Sequence, residues 1–186
     1  DRVYRGHDTP VVSQGVVIGL VNEFTRPRDV IVNAAGSLPG DLHKLWRARD
    51  PKQYHLEYGY SCMGYEIAAG LGVKMAAPDR EVYVLVGDGS YLMMAQEIVT
   101  SIQERVRLTI LILDNHGFAS IGGLSKSVGC SGFATEYRCR DAETGLLAGD
   151  PLSVDFVANA ESLGARAIRA CTPEAIREAL EMARHS

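Results

Sequence analysis

The sequence predicts an α/β protein with a doubly wound, mostly parallel sheet flanked by helices. Two observations indicate this class. Continuous apolar runs rich in β-branched residues, such as residues 81–86 and 108–113, are typical of strands that are covered on both faces. Helical patterns alternate with these runs, as they do where crossover helices join parallel strands. Such sheets bind ligands in the loops beyond the carboxyl ends of their strands.

Five segments are predicted as strands. The apolar run 30–33 is the first, and residues 54–58 form a less regular second strand. The runs 81–86 and 108–113 are the third and fourth, and residues 165–168 are predicted as the last.

The helices are predicted between these strands. Residues 11–24 and 92–104 carry apolar side chains at helical spacing, and residues 63–75 are apolar almost all round. Glycine is frequent in 63–75, and because each interior glycine costs a helix roughly 1 kcal/mol, we expect another element to pack very closely there. The last helix is predicted to begin at Thr172-Pro173, where a capping hydroxyl precedes proline at the first helical position.

Residues 117–150 show no periodicity, and we expect a long loop there that covers a substrate. The chain begins with Asp1 rather than with Met. We therefore expect a piece of a longer polypeptide, in which residues 1–10 are a linker or extension and residues 11–186 form one domain.

The composition excludes several classes of protein. With 46% hydrophobic and 23% charged residues, the 186-residue chain is neither disordered, collagen-like nor a coiled coil. A formal net charge of −4 argues against nucleic-acid binding, and no stretch approaches the roughly 18 consecutive apolar residues that would span a membrane. Because the cysteines form no CxxC pair, we expect buried free thiols in a cytoplasmic protein. They are Cys62, Cys130, Cys139 and Cys171.

The most informative motif is Gly87-Asp88-Gly89-Ser90, directly after the strand predicted at 81–86. Asp-Gly alone is a common turn dipeptide, and a hairpin turn would need no function. The helix predicted at 92–104 argues against a hairpin, because a strand, a glycine-rich turn and a helix start together favour an anion site. An aspartate there repels phosphate unless a divalent cation lies between the two, which indicates magnesium.

A second magnesium ligand is expected from the end of a neighbouring strand. The strand predicted at 108–113 is followed by Asp114-Asn115-His116-Gly117, and Asn115 lies 27 residues after Asp88. A nicotinamide-binding fingerprint is excluded, because Leu92 occupies the position of its third glycine, and the Walker pattern is absent as well.

These residues resemble the metal-binding motif of the thiamine-diphosphate-dependent enzymes, in which Gly-Asp-Gly is followed some two dozen or more residues later by Asn. The resemblance implies thiamine diphosphate and Mg²⁺ as cofactors. It implies the side chains of Asp88 and Asn115 and the carbonyl of Gly117 as metal ligands. Gly89 and Ser90 would offer backbone N–H groups to the diphosphate, and Ser90 also its hydroxyl.

Two further segments resemble the same family. Residues 35–38 match its first diphosphate-contacting loop, and residues 60–64 match the segment that supports the V-shaped cofactor. There the Met63 side chain would lie under the bend, and the Ser61 carbonyl would accept from the pyrimidine amino group. The implied cofactor-binding residues are Gly36, Ser37, Leu38, Ser61, Met63, Gly87, Gly89, Ser90, Asn115, Gly117 and Phe118.

The segments 34–46, 55–66 and 114–124 are similar to one subfamily, the trihydroxycyclohexane-dione hydrolases of myo-inositol breakdown. This resemblance implies hydrolytic cleavage of a C–C bond in a cyclic 1,2-diketone to a ring-opened deoxy sugar acid, 5-deoxy-glucuronate. Acetolactate synthases share the metal motif but typically carry Asn-Asn in place of Asp114-Asn115. The alternatives are therefore an acetolactate-synthase-like carboligase or decarboxylase, and a non-catalytic assembly module.

The sequence assigns no catalytic residue, and the candidates are His116, Ser120 and His55. Ser120 does not lie in a GxSxG elbow, so a nucleophilic serine is unsupported. In this family the activating glutamate belongs to a pyrimidine-binding domain, usually of a second subunit, which 186 residues cannot also contain. We therefore expect the carboxy-terminal domain of a longer enzyme that forms a homo-oligomer, a dimer or a tetramer.

Overall fold

A four-stranded, all-parallel sheet forms the centre of the computed structural model, which describes residues 12–185. Its strands run in the order β2-β1-β3-β4. The predicted α/β class with a parallel sheet is confirmed, whereas the linker predicted at 1–10 lies outside the described residues. The strands are β1 Val30–Asn33, β2 Tyr54–Leu56, β3 Val82–Gly87 and β4 Thr109–Leu113.

The strand order reverses between β1 and β3, since the chain leaves β1 toward β2 and then returns to the other side of β1. The register pairs Ile31 with both Tyr54 and Tyr83, and Val84 with Ile110. Both central strands are almost fully buried, as their unbroken apolar runs predict. In sheets of this kind, the crevice at the point of reversal is where ligands bind.

Helices cover both faces of the sheet. One face packs against α1, α2 and α8 through an apolar cluster that includes Ile31 and Leu85. The other face packs against α3, α4, α5 and α7 through a second cluster that includes Val32 and Val84. The helices are α1 Gln14–Phe24, α2 Ser37–Leu45, α3 Tyr65–Ala76, α4 Asp88–Met94, α5 Glu97–Gln103, α6 Ala119–Ser127, α7 Phe156–Ser162 and α8 Pro173–Arg184.

Several predicted elements are confirmed with small changes of boundary. The last helix begins where expected, because the Thr172 hydroxyl accepts from the Ala175 N–H at 3.2 Å ahead of Pro173. The close packing expected around 63–75 is present, because a Cβ on Gly70 of α3 would collide with the Val84 side chain of β3.

Two predictions of secondary structure are wrong. The single helix predicted at 92–104 is two helices, and the first of them begins at Asp88, so the glycine-rich motif opens the helix and is not a separate turn. Residues 165–168 form no strand. Within the described chain no backbone hydrogen bond joins residues 166–170 to the edge strand β4, so the local apolar pattern there is not paired into the sheet.

The prediction of a structureless loop at 117–150 is wrong in part. The segment contains α6, which sequence patterns miss because Gly122 and Gly123 interrupt its apolar spacing. It also forms two isolated β-bridges, between Gly117 and Glu136 and between Arg138 and Pro151.

The cysteines are free, as predicted, but the prediction that they are buried is wrong. All four are exposed, because they lie in the segments between helices and strands and not in the sheet or its packed helices. Among residues 12–185, no helix is both long and apolar enough to cross a membrane.

Candidate functional site

A cleft lies at the carboxyl ends of β1, β3 and β4, where the strand order reverses. It brings together five parts of the chain that are far apart in sequence: Gln14 of α1, the loop after β1, Met63, the start of α4, and the segment after β4. Its lining residues are Gln14, Ala35, Gly36, Ser37, Leu38, Met63, Gly87, Asp88, Gly89, Ser90, Leu113, Asn115, Gly117, Phe118, Ala119, Ser120 and Ile121. Every residue predicted to bind cofactor or metal lines this cleft, except Ser61.

Asp88 is the buried charge of the cleft, with none of its surface exposed. Its Oδ2 accepts from the Gly117 N–H at 2.9 Å. Its Oδ1 has no hydrogen-bond partner among the described residues. Burial raises the pKa of Asp88 above its usual value, although the N–H groups of Gly117 and Asn115 act in the opposite direction. A buried carboxylate oxygen without a donor is suited to a hard cation such as magnesium.

The segment after β4, which carries the other predicted metal ligands, is held by a second pass of the chain. Phe118 N–H donates to the Thr135 carbonyl at 2.8 Å, and Tyr137 N–H donates to the His116 carbonyl at 3.1 Å. Gly117 has φ of +152°, and a Cβ there would collide with the Thr135 backbone. The position of Gly117 therefore depends on glycine and on residues 135–137.

Gly89 is required by packing. A Cβ at this position would lie 2.7 Å from Cε1 of Phe118, whose ring lies over the start of α4. Phe118 in turn meets the Tyr137 ring edge to face, with centroids 6.0 Å apart. The two ends of the metal motif are thus in direct contact across the cleft.

The segment that carries Ser61 and Met63 is fixed by Glu57. The Glu57 carboxylate accepts from the Cys62 N–H at 2.8 Å and from the Tyr60 N–H at 2.9 Å. These two hydrogen bonds hold the pKa of Glu57 below its usual value. Ser61 lies between them with φ of +51° and is exposed.

We expect this arrangement to come apart in acid. A carboxyl group with a lowered folded pKa contributes stability above its unfolded pKa, and that contribution is lost as the pH falls through the folded value. The amide NMR signals of Tyr60 and Cys62 should therefore titrate together with a midpoint below the ordinary Glu pKa of 4.5. Glu57→Gln is the control and should remove the transition, whereas a midpoint at or above 4.5 would contradict this assignment.

Comparison with known proteins shows the family to which this chain belongs. A family model described as "Thiamine pyrophosphate enzyme, C-terminal TPP binding domain" matches residues 34–186. The chain belongs to this family.

Relatives of this TPP-binding domain are named 3D-(3,5/4)-trihydroxycyclohexane-1,2-dione hydrolase. One from Clostridium tetani is 46% identical over 181 residues, which are 97% of this chain and 28% of that protein. One from Bacillus cereus is 47% identical over 173 residues, 93% of this chain and 27% of that protein. The chain thus spans little more than a quarter of the length of these relatives.

A solved structure has the same fold. It is the thiamine diphosphate-dependent 4-hydroxybenzoylformate decarboxylase of Rhodococcus jostii RHA1, with a TM-score of 0.80 and 23% sequence identity. The match covers 97% of this chain and 32% of the decarboxylase. At this identity the likeness shows the fold alone.

The three candidate catalytic side chains lie in different places in the TPP-binding domain. Ser120 lines the cleft. His55 lies outside the lining, with Nε2 2.9 Å from the Tyr65 hydroxyl and the two rings stacked. His116 is exposed, with Nδ1 3.2 Å from Oδ1 of Asp114. Their catalytic roles remain predictions.

Sequence reasoning missed three residues of the site. Gln14 lines the cleft and accepts from the Ser37 hydroxyl at 3.2 Å. Tyr137 has a buried hydroxyl with no hydrogen-bond partner among the described residues. Its pKa is raised, mainly by burial and to a smaller extent by the charge of Asp88. Glu66 is a buried carboxylate in α3. Of these, only Glu66 gives a signal in the sequence, as an acidic residue directly before the apolar and glycine-rich run 67–73.

Proposed function

We propose that this chain is the carboxy-terminal cofactor-binding part of a thiamine-diphosphate- and magnesium-dependent hydrolase. Its substrate is a cyclic 1,2-diketone, trihydroxycyclohexane-1,2-dione, and its product is 5-deoxy-glucuronate. The names of relatives at 46% and 47% identity support the substrate. The observation that carries the cofactor assignment is the unpartnered, buried Oδ1 of Asp88 in the cleft of a TPP-binding domain.

Three groups of this chain are suited to hold the magnesium ion. They are the carboxylate of Asp88, the side-chain amide of Asn115 and the carbonyl of Gly117, all in the cleft lining. Oxygen ligands of these kinds are the ones magnesium prefers. Without a cation, the carboxylate of Asp88 and a diphosphate would repel each other in a partly buried cleft, where charges interact more strongly than in water.

The remaining lining residues bind and orient the rest of the cofactor. Gly89 and Ser90 contribute backbone N–H groups, and residues 36–38 provide a second wall at the start of α2. Met63 supports the cofactor from the opposite segment. When bound, thiamine diphosphate supplies a nucleophilic carbon and an electron sink for cleavage of a bond beside a carbonyl. The chain itself supplies binding, orientation and the field of the metal.

The relatives are more than three times as long as this chain, which supports the presence of a further domain in the full-length enzyme. We propose that the full-length polypeptide carries a pyrimidine-binding domain with the activating glutamate, and that its subunits pair as a dimer or tetramer. The free thiols are consistent with a reducing, cytoplasmic location.

The test is an assay of the full-length polypeptide with the cyclic diketone and, separately, with pyruvate. We expect cleavage of the diketone that requires both thiamine diphosphate and magnesium. Carboligation or decarboxylation of pyruvate without diketone cleavage would instead identify an acetolactate-synthase-like enzyme. Cofactor binding without turnover of either substrate would identify an assembly module.

The isolated 186-residue chain is expected to show no turnover of the diketone, because half of each active site would be missing. The measurement is product formation by the pure chain at saturating magnesium and thiamine diphosphate, with the full-length polypeptide as the positive control. Detectable cleavage by the isolated chain would contradict the proposed second domain.

A further inference from the structure

Glu66 is a buried carboxylate, 1% exposed, in the first turn of α3. Its hydrogen bonds come from neutral donors. Oε1 accepts from the Ala35 N–H at 3.3 Å, and Oε2 accepts from the Gly64 N–H at 3.1 Å. The Ser90 hydroxyl lies 2.9 Å from Oε1 and 2.7 Å from Oε2.

These donors belong to three different parts of the cleft wall. Ala35 precedes the loop that starts α2, Gly64 follows Met63, and Ser90 lies two residues after Asp88. The Ser90 hydroxyl also accepts from the Gly64 N–H at 2.7 Å, which closes a triangle of hydrogen bonds. One side chain outside the cleft lining therefore joins the three segments that line it.

We propose that Glu66 is the positioning residue of this cleft, and that its carboxylate sets the spacing of the three segments around thiamine diphosphate. The proposal rests on the function proposed above. Gly64 adopts a left-handed conformation, with φ of +90°, and its N–H is held by Glu66. That N–H belongs to the peptide bond between Met63 and Gly64, so Glu66 holds the backbone at Met63 directly. The direction of Ser90 follows from the hydroxyl contact, and Asp88 is in the same helical turn.

The arrangement requires a carboxylate and not an amide. Three donors converge on Glu66, and a carboxylate only accepts. In Glu66→Gln, the new NH₂ group would face either the Ala35 N–H or the Gly64 N–H. The Ser90 hydroxyl can reverse its direction, but a backbone N–H cannot. One cleft segment is therefore pushed away in either orientation of the amide.

The experiment measures the binding of thiamine diphosphate to the full-length polypeptide by calorimetry at saturating magnesium. Glu66→Gln is expected to raise the Kd about tenfold or more, in line with a lost buried hydrogen bond and a misplaced outer partner of a metal site. The near-ultraviolet circular dichroism of the bound cofactor should change as well, because its surroundings shift.

Ile67→Val is the matched control, since Ile67 is the next residue of α3, is buried and belongs to the second apolar cluster. It should lower the melting temperature of the cofactor-free protein without changing the Kd. An increase in Kd for Glu66→Gln beyond that of the control supports positioning. A Kd within twofold of the wild-type value would overturn it, because a purely structural role would lower only the melting temperature.

Glu66→Asp is the second variant, in case Glu66→Gln does not fold. It keeps a carboxylate but shortens the side chain by one methylene, so the carboxylate can no longer reach all three donors. A smaller rise in Kd of about threefold is expected, together with a changed dichroism of the cofactor. An unchanged Kd would overturn the proposal. If the wild-type polypeptide itself binds no thiamine diphosphate, the proposed function fails at that step, before any variant is compared.

Discussion

Replacing Asp88 with alanine in the full-length polypeptide is expected to abolish magnesium-dependent binding of thiamine diphosphate. The reason is that Asp88 is the one carboxylate in the cleft lining of the described chain, and its Oδ1 has no other partner there. Calorimetric titration with and without magnesium measures the effect. Asp79→Ala is the control, because Asp79 is exposed and pairs with Arg28. It precedes the amino end of β3, whereas the cleft lies at the carboxyl end.

A companion measurement separates the metal role of Asp88 from a structural one. Asp88→Asn keeps an acceptor for the Gly117 N–H but removes a buried charge, which is unfavourable in a protein interior. The cofactor-free variant should therefore be at least as stable as the wild type in chemical denaturation, while magnesium-dependent binding is lost. Undiminished magnesium-dependent binding in both Asp88→Ala and Asn115→Ala would show that the metal assignment is wrong.

Gly117→Ala is expected to have the second large effect. The new Cβ would collide with the Thr135 backbone, at a φ of +152° that side chains rarely adopt. Either the segment after β4 or residues 135–137 must move. The first carries the predicted metal ligands Asn115 and Gly117, and the second holds that segment in place. We expect a loss of about 2–4 kcal/mol in the free energy of unfolding and at least a tenfold weaker magnesium-dependent binding.

The control for this substitution is Gly123→Ala. Gly123 lies in α6, where an added Cβ meets no atom within 4 Å, so alanine should be neutral or stabilise the helix by up to about 1 kcal/mol. Chemical denaturation and calorimetry of the two variants side by side make the comparison. Equal effects of the two substitutions would contradict the close contact described at Gly117.

The two central strands and their burial could be predicted from the sequence, because β1 and β3 are unbroken apolar runs. Such runs are typical of strands that are covered on both faces, as these two are. The failures have a common cause in tertiary structure. Residues 165–168 have the pattern of a strand but make no backbone hydrogen bond to the edge strand β4. The helix α6 has the pattern of a loop, yet it packs through the close approach of Gly122 to Thr135.

The sequence could predict which residues meet at the cleft where the motifs are local. The Gly-Asp-Gly motif and Asn115 follow two neighbouring strands, and parallel strands bring such residues to one edge of the sheet. Glu66 could not be assigned in the same way, because its partners Ala35 and Ser90 are 31 and 24 residues away in the chain. Its function becomes visible only when three segments are seen in contact.

The contacts between residues 116–118 and 135–137 have a consequence for the thermodynamics of binding. The protein's own hydrogen bonds, from Phe118 to Thr135 and from Tyr137 to His116, define the shape of the segment after β4. A preorganised loop loses little conformational entropy when a ligand arrives. At the proposed magnesium site, dehydration of the ion and its attraction to Asp88 should then dominate the affinity, and we expect cofactor binding to depend more on charge than on chain ordering.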